Sequence, residues 1–134
     1  MTQGQEAAAR ACLRAAEDDA MSFLQIVATL LEAGFEGYAV DFRRATATYY
    51  LPDGESVELS AHGADAPVAP ALDAARLQAA IGEAQRQVPG YTYKGFCTKA
   101  ARAGCAGYVV SFSGRRALYV GRRAETHVEP FPDR

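Results

Sequence analysis

The pair of side chains best placed to do chemistry is His127 and Glu129. On a strand, residues two apart project to the same face, so this spacing would set an imidazole beside a carboxylate. Such a pair can act as a general base with its orienting partner, or begin a metal site. A metal needs further ligands. The sequence offers His62, the only other histidine, and Glu58, the repeat counterpart of Glu129 after a one-residue shift. The competing structural reading is a hydrogen-bonded or surface pair near the C-terminus, so neither a metal nor a cofactor is assigned.

Tyrosines and arginines form the second group of candidates. Tyr38, Tyr49, Tyr50, Tyr108 and Tyr119 give predicted strands many phenols, which suit both a core edge and the rim of a ligand pocket. Tyr38 and Tyr108 read as core, whereas Tyr49 and Tyr119 are expected at a pocket together with Glu58 and Arg116. The pairs Arg43-Arg44, Arg115-Arg116 and Arg122-Arg123 fall at predicted turns and could hold a phosphate or carboxylate, although such pairs are commonly solvated hairpin tips. Cys97 and Cys105 lack a reactive-cysteine signature and read as buried thiols, and Cys12 completes an odd count without metal-ligand spacing.

What must position these groups is legible in a repeat. Displacing the sequence by 70 residues lays Ala33-Gly34, Gly37-Tyr38, Val40, Phe42, Ala47 and Tyr49 on identical residues, 8 identities in the 18 positions from 33 to 50. Chance alone gives roughly one or two. The offset also places Ser22 on Thr92, both suited to accept from the free N–H groups of a first helical turn. Ser22-Phe23-Leu24-Gln25 makes a full capping box, with Met21 and Ile26 as its hydrophobic staple, while Gly95 leaves the second box incomplete. Both helices run to a glycine, Gly34 or Gly104.

A core stripe is predicted over Phe23, Ile26, Val27, Leu30 and Leu31, matched by Tyr93, Phe96, Cys97, Ala100 and Ala101. Alternating runs follow each glycine and turn at Arg43-Arg44-Ala45 and Ser113-Gly114-Arg115, giving two hairpins, each with a third short run beyond, Glu55 to Leu59 and Glu125 to Glu129. Further helices are expected from about Glu6 to Ala16 and from about Leu72 to Val88. The fold reading is α+β: a two-layer sandwich, internally duplicated, with helices on a mostly antiparallel sheet. One domain is expected over residues 1–134, with repeats of about 5–60 and 72–132 joined by a loop of about 61–71.

The second copy, Ala103-Gly104-Cys105-x-Gly107-Tyr108-x-Val110 followed by His127-Val128-Glu129-Pro130-Phe131-Pro132, resembles the YdfO-like family, also called domain of unknown function 1398. The first copy extends the likeness through Gly34, Gly37, Tyr38, Thr48-Tyr49-Tyr50 and Asp53-Gly54-Glu55. The resemblance implies a bacterial or prophage protein with a two-layer α/β sandwich and no established activity. A phage-envelope label carried by some members finds no support in these residues and is not transferred.

Composition bounds the partners. The 134 residues hold no apolar run long enough to span a membrane, and the first residues lack a basic-then-apolar signal layout, so a cytoplasmic protein is expected. Residues 1–90 hold 6 Lys+Arg against 13 Asp+Glu, whereas residues 91–134 hold 8 against 3. Opposite charges in the two parts neutralise one another within one fold. With a pI of 5.7 and no recognition motif, nucleic-acid binding ranks last. The leading expectation is a non-catalytic module that binds a small molecule or a protein in the groove between the copies or at a sheet edge, an open edge also allowing a homodimer. The alternative is a small enzyme in which His127 and Glu129 act as acid/base groups on an anionic substrate.

Overall fold

A computed structural model describes residues 1–132. The chain runs through α1 (Gln3–Glu17), α2 (Phe23–Glu32), β1 (Gly37–Asp41), β2 (Thr46–Tyr50), β3 (Ser56–Ser60), α3 (Ala74–Arg86), α4 (Tyr93–Arg102), β4 (Cys105–Ser111), β5 (Arg116–Gly121) and β6 (Thr126–Pro130). This is an α+β fold, with four helices and one six-stranded sheet among the described residues, in which every pairing is antiparallel.

Local chemistry sets the helix boundaries. Thr2 and Ser22 each accept from the backbone N–H three residues on, and Gln5 and Gln25 return the bond, so α1 and α2 both start on complete capping boxes. The box at Thr2 starts α1 earlier than the apolar periodicity suggests. Asp73 caps α3 and moves its start to Ala74, since a cap residue lies outside the helix it begins. Thr92 accepts from Gly95, and with no side chain there to answer, this cap stays half formed. Leu31 departs from the predicted stripe: at 51% exposed it lies beyond the edge of the buried face formed by Ile26, Val27 and Leu30.

The strand order is β3-β2-β1-β4-β5-β6, so the two hairpin sets meet where β1 pairs with β4. At the middle of that ladder Ala39 lies opposite Val109, with Gly37 opposite Ser111 and Asp41 opposite Gly107. The bonds just beyond the ladder match as well: the Phe42 N–H donates to Ala106 and the Phe112 N–H to Glu36. The two central strands approach too closely for a side chain at either glycine. A Cβ on Gly37 would stand 2.3 Å from the Val110 carbonyl oxygen, and one on Gly107 would stand 2.4 Å from that of Val40. β4 begins at Cys105, three residues before Tyr108, with a register shift between Cys105 and Gly107.

Residues opposite one another on adjacent strands share a face of the sheet. One face carries Leu59, Ala47, Val40, Tyr108, Tyr119 and His127 in a row across all six strands, and Val57, Tyr49, Tyr38, Val110, Ala117 and Glu129 in the next. The core forms there, where the tyrosines, Phe42 and Phe112 meet Cys12, Ile26, Leu30, Leu77 and Phe96 from the helices. The opposite face carries Glu58, Thr48, Ala39, Val109, Leu118 and Val128, of which Val109 and Val128 are about half exposed. No helix among the described residues is long and apolar enough to cross a membrane.

Candidate functional site

Between the helices and the tyrosine-bearing face of the sheet lies a cavity of about 580 Å³. Its wall draws on both parts of the chain, with Cys12, Ala16 and Ile26 on one side and Ile81, Ala84 and Phe96 on the other. The floor is aromatic. Tyr38 stacks on Tyr49 with ring centroids 5.4 Å apart, Tyr108 lies against Tyr119 at 5.2 Å, and Tyr38 meets Tyr108 edge-on at 6.3 Å. Strand alternation brings these four rings to one face, and the β1–β4 pairing joins the two pairs at the centre of the sheet.

The phenols are neutral hydroxyl groups there. Burial holds Tyr38 and Tyr108 well above the ordinary phenol range and raises Tyr49 and Tyr119 in the same direction, because an apolar surrounding disfavours the phenolate. Tyr108 shares a hydrogen bond of 2.6 Å with the hydroxyl of Tyr93 at the start of α4. Tyr91, just before that helix, also lines the cavity, and burial pushes its phenol up to about 12. Neither Tyr91 nor Tyr93 is among the pocket residues that sequence reasoning selects. The spacing Tyr91-x-Tyr93 beside a helix cap was the available signal.

His127 and Glu129 come together as the two-residue spacing requires: Nε2 lies 3.1 Å from Oε1, and both side chains are largely withdrawn from solvent, at 17% and 20% exposed. They face the helices, His127 opposite Tyr119 and Glu129 opposite Ala117. Glu129 lines the cavity and also receives the Gln85 side-chain amide at 3.4 Å. Tyr49 and Tyr119 line the cavity as well.

The other predicted site residues lie elsewhere. Glu58 is on edge strand β3, on the face away from the cavity, 3.7 Å from Arg44. Arg116 is exposed at the start of β5 and donates to the Gly114 carbonyl. His62 follows β3, its ring 3.5 Å from Asp65 and its backbone N–H bonded to Glu17. Because β3 and β6 form opposite edges of a six-stranded sheet, roughly 24 Å apart at the ordinary strand spacing, the structure does not bring His62 or Glu58 to His127 and Glu129.

The three cysteines are free and buried. Burial raises Cys12 and pushes Cys97 up to about 12 and Cys105 up to about 11, which keeps all three as thiols at neutral pH. Cys12 alone contributes to the main cavity wall.

Among curated proteins no significant match is found. A family profile described as protein of unknown function (DUF1398) matches residues 11–126, a span that includes the cavity floor and reaches the start of β6. By that match over most of its length, the chain belongs to the DUF1398 family.

Proposed function

We propose that this protein is a non-catalytic binding module that receives a small, largely apolar molecule in the tyrosine-floored cavity. The observation that carries the reading is the cavity itself: about 580 Å³ falls within the size of ordinary ligand sites, and apolar walls with a few converging hydroxyls are their usual make-up. Such a space, if left empty, would deprive the core of packing contacts, whereas a ligand restores them.

The reading includes an internal duplication, with helices and sheet as two layers around the site. Support comes from features 70 residues apart: α2 and α4 occupy matching spans, Ala45 and Arg115 both take left-handed conformations at hairpin turns, and Ala39 faces Val109 at the centre of the sheet. A pseudo-two-fold axis through that pair would carry Tyr38 onto Tyr108 and Tyr49 onto Tyr119, so the floor would be the product of copying one tyrosine pair.

The test is binding of the neutral fluorophore N-phenylnaphthylamine, which brightens on leaving water. The native protein is expected to bind one equivalent, and Ala84→Trp, which fills the cavity from α3, to bind at least about tenfold more weakly, the loss expected when a ligand's apolar contacts are excluded. Saturable binding unaffected by Ala84→Trp in a folded protein would place the ligand elsewhere and reject the reading.

A second reading is favoured by one contact, His127 with Glu129, of which Glu129 lines the cavity. A carboxylate that orients an imidazole is the arrangement of a general base. His127→Ala separates the two: a binding module keeps its affinity for the fluorophore, and an enzyme loses a turnover that unbiased substrate screening must first reveal.

A further inference from the structure

The charged groups around the cavity are of one sign, among neutral hydroxyls and the amides of Gln25, Gln85 and Gln87. Among the described residues, its lining includes the carboxyl groups of Asp19 and Glu129 and no lysine, arginine or histidine. Arg115 approaches this end of the fold but lies against the Phe131 ring, 5.4 Å from its centroid, and is not part of the wall. Glu129 is engaged by His127 and at longer range by Gln85, which leaves acceptor capacity on its oxygens, since a carboxylate offers about four lone-pair positions. Asp19 spends one oxygen on the Tyr93 backbone N–H at 2.7 Å.

An anion entering this space would meet two carboxylates and no cation to balance it. A positive charge would meet carboxylates at the wall and rings whose faces carry negative electrostatic potential, the combination that recognises alkylammonium groups. From this complementarity we infer that the cavity selects an amphipathic organic cation, an aryl or alkyl body lying among the tyrosines with an ammonium group directed to Glu129. The inference rests on the cavity being a ligand site and names the class of ligand it takes.

Three probes that share a phenylhexyl body test it by calorimetric titration: a phenylhexyl trimethylammonium ion, its neutral analogue with carbon in place of the ammonium nitrogen, and phenylheptanoate. The ammonium ion is expected to bind about tenfold or more tightly than the neutral analogue, and the carboxylate most weakly. Glu129→Gln, which keeps the shape and the acceptor oxygen, is expected to remove most of that preference and leave the neutral probe unchanged. Asp19→Asn supplies a second variant with its backbone acceptor intact, expected to reduce the same preference. Raising salt to about 0.5 M should also narrow the gap. If the neutral analogue binds as well as the ammonium ion, the inference fails while the cavity reading stands. If none of the three binds, both fail, and a preference that survives both substitutions overturns the assignment to these carboxylates.

Discussion

Replacing Gly107 or Gly37 with alanine tests the geometry on which the tyrosine floor depends. A Cβ on Gly107 would meet the Val40 carbonyl oxygen at 2.4 Å and the Asp41 Cα at 3.3 Å, and one on Gly37 would meet the Val110 oxygen at 2.3 Å. Contacts of this kind relax only near 3.2 Å or beyond, so the central strands must part by close to an ångström. Neither neighbour can swing aside, because both oxygens belong to backbone at the β1–β4 seam. Overpacking of a tight site costs about 1–3 kcal/mol, and one or two weakened ladder bonds add about 1 kcal/mol each. Each variant should therefore lose about 3 kcal/mol, measured by urea unfolding with an unchanged slope against denaturant. Gly54→Ala is the control: its φ of +96° is unfavourable to alanine, a strain absent at Gly37 and Gly107, but beyond its chain neighbours no atom lies within 4 Å of the added carbon, so its loss should stay near 1 kcal/mol. The double variant adds a further reading, because one parting of the seam relieves both clashes and its cost should fall short of the sum. A loss below about 0.5 kcal/mol at Gly107 and Gly37 would refute the close approach of the two strands.

Phe42→Ala and Phe112→Ala should each cost about 3–5 kcal/mol in the same assay, since both rings are over nine-tenths buried in the core. His127→Ala should cost less than either ring, about 1–2 kcal/mol, because it removes the bond to Glu129 and the packing on Tyr119 at an edge strand, and losses of equal size at all three positions would contradict the assignment of faces. The three thiols should resist an aromatic disulfide reagent in the folded protein and react promptly in urea, with rapid native reaction of even one contradicting its burial. Alkali should destabilise the fold in a definite direction. Cys97 and Cys105 are pushed up to about 12 and about 11 when folded, and the buried tyrosines rise likewise, so the folded state holds protons that the unfolded chain releases. Their stabilisation is complete below the unfolded thiol range and is lost as pH rises from about 8.5 toward those values, and thermal unfolding that is flat across that interval would contradict it.

Much of the fold was legible because its determinants are local. A cap, a glycine stop and an alternating run each act within a few residues, so Ser22 and Thr92 start helices, Gly34 and Gly104 take positive φ after them, and the hairpins follow. Thr2 and Asp73 shifted two predicted starts because their caps lie outside the apolar periodicity. Leu31 misled because a leucine at the end of a stripe obeys the same spacing whether or not a neighbour arrives to cover it. The approach of β1 to β4 left a trace in the repeated Gly37 and Gly107, but a glycine in a strand does not name the backbone that passes over it.

The site divides along the same line. Strand parity alone could have separated the candidates: Tyr119 inward makes Ala117 inward and Arg116 outward, and Leu59 inward makes Glu58 outward, whereas His127 and Glu129 share the inward parity through their partners Tyr119 and Ala117. Parity could not reveal the cavity, whose opposite walls come from α1 and α3, segments about 70 residues apart that share no local signal. Nor could it reveal the sign of the wall. The arginine pairs in the sequence suggested an anion, yet hairpin tips and the outer face carry those arginines away from the tyrosines, and the carboxyl groups of Asp19 and Glu129 remain at the cavity. Charge that is nearly balanced over the whole chain thus becomes one-signed at the cavity, where Asp19 stands exposed and Glu129 is largely withdrawn from water, so that of the two carboxylates Glu129 is the less screened.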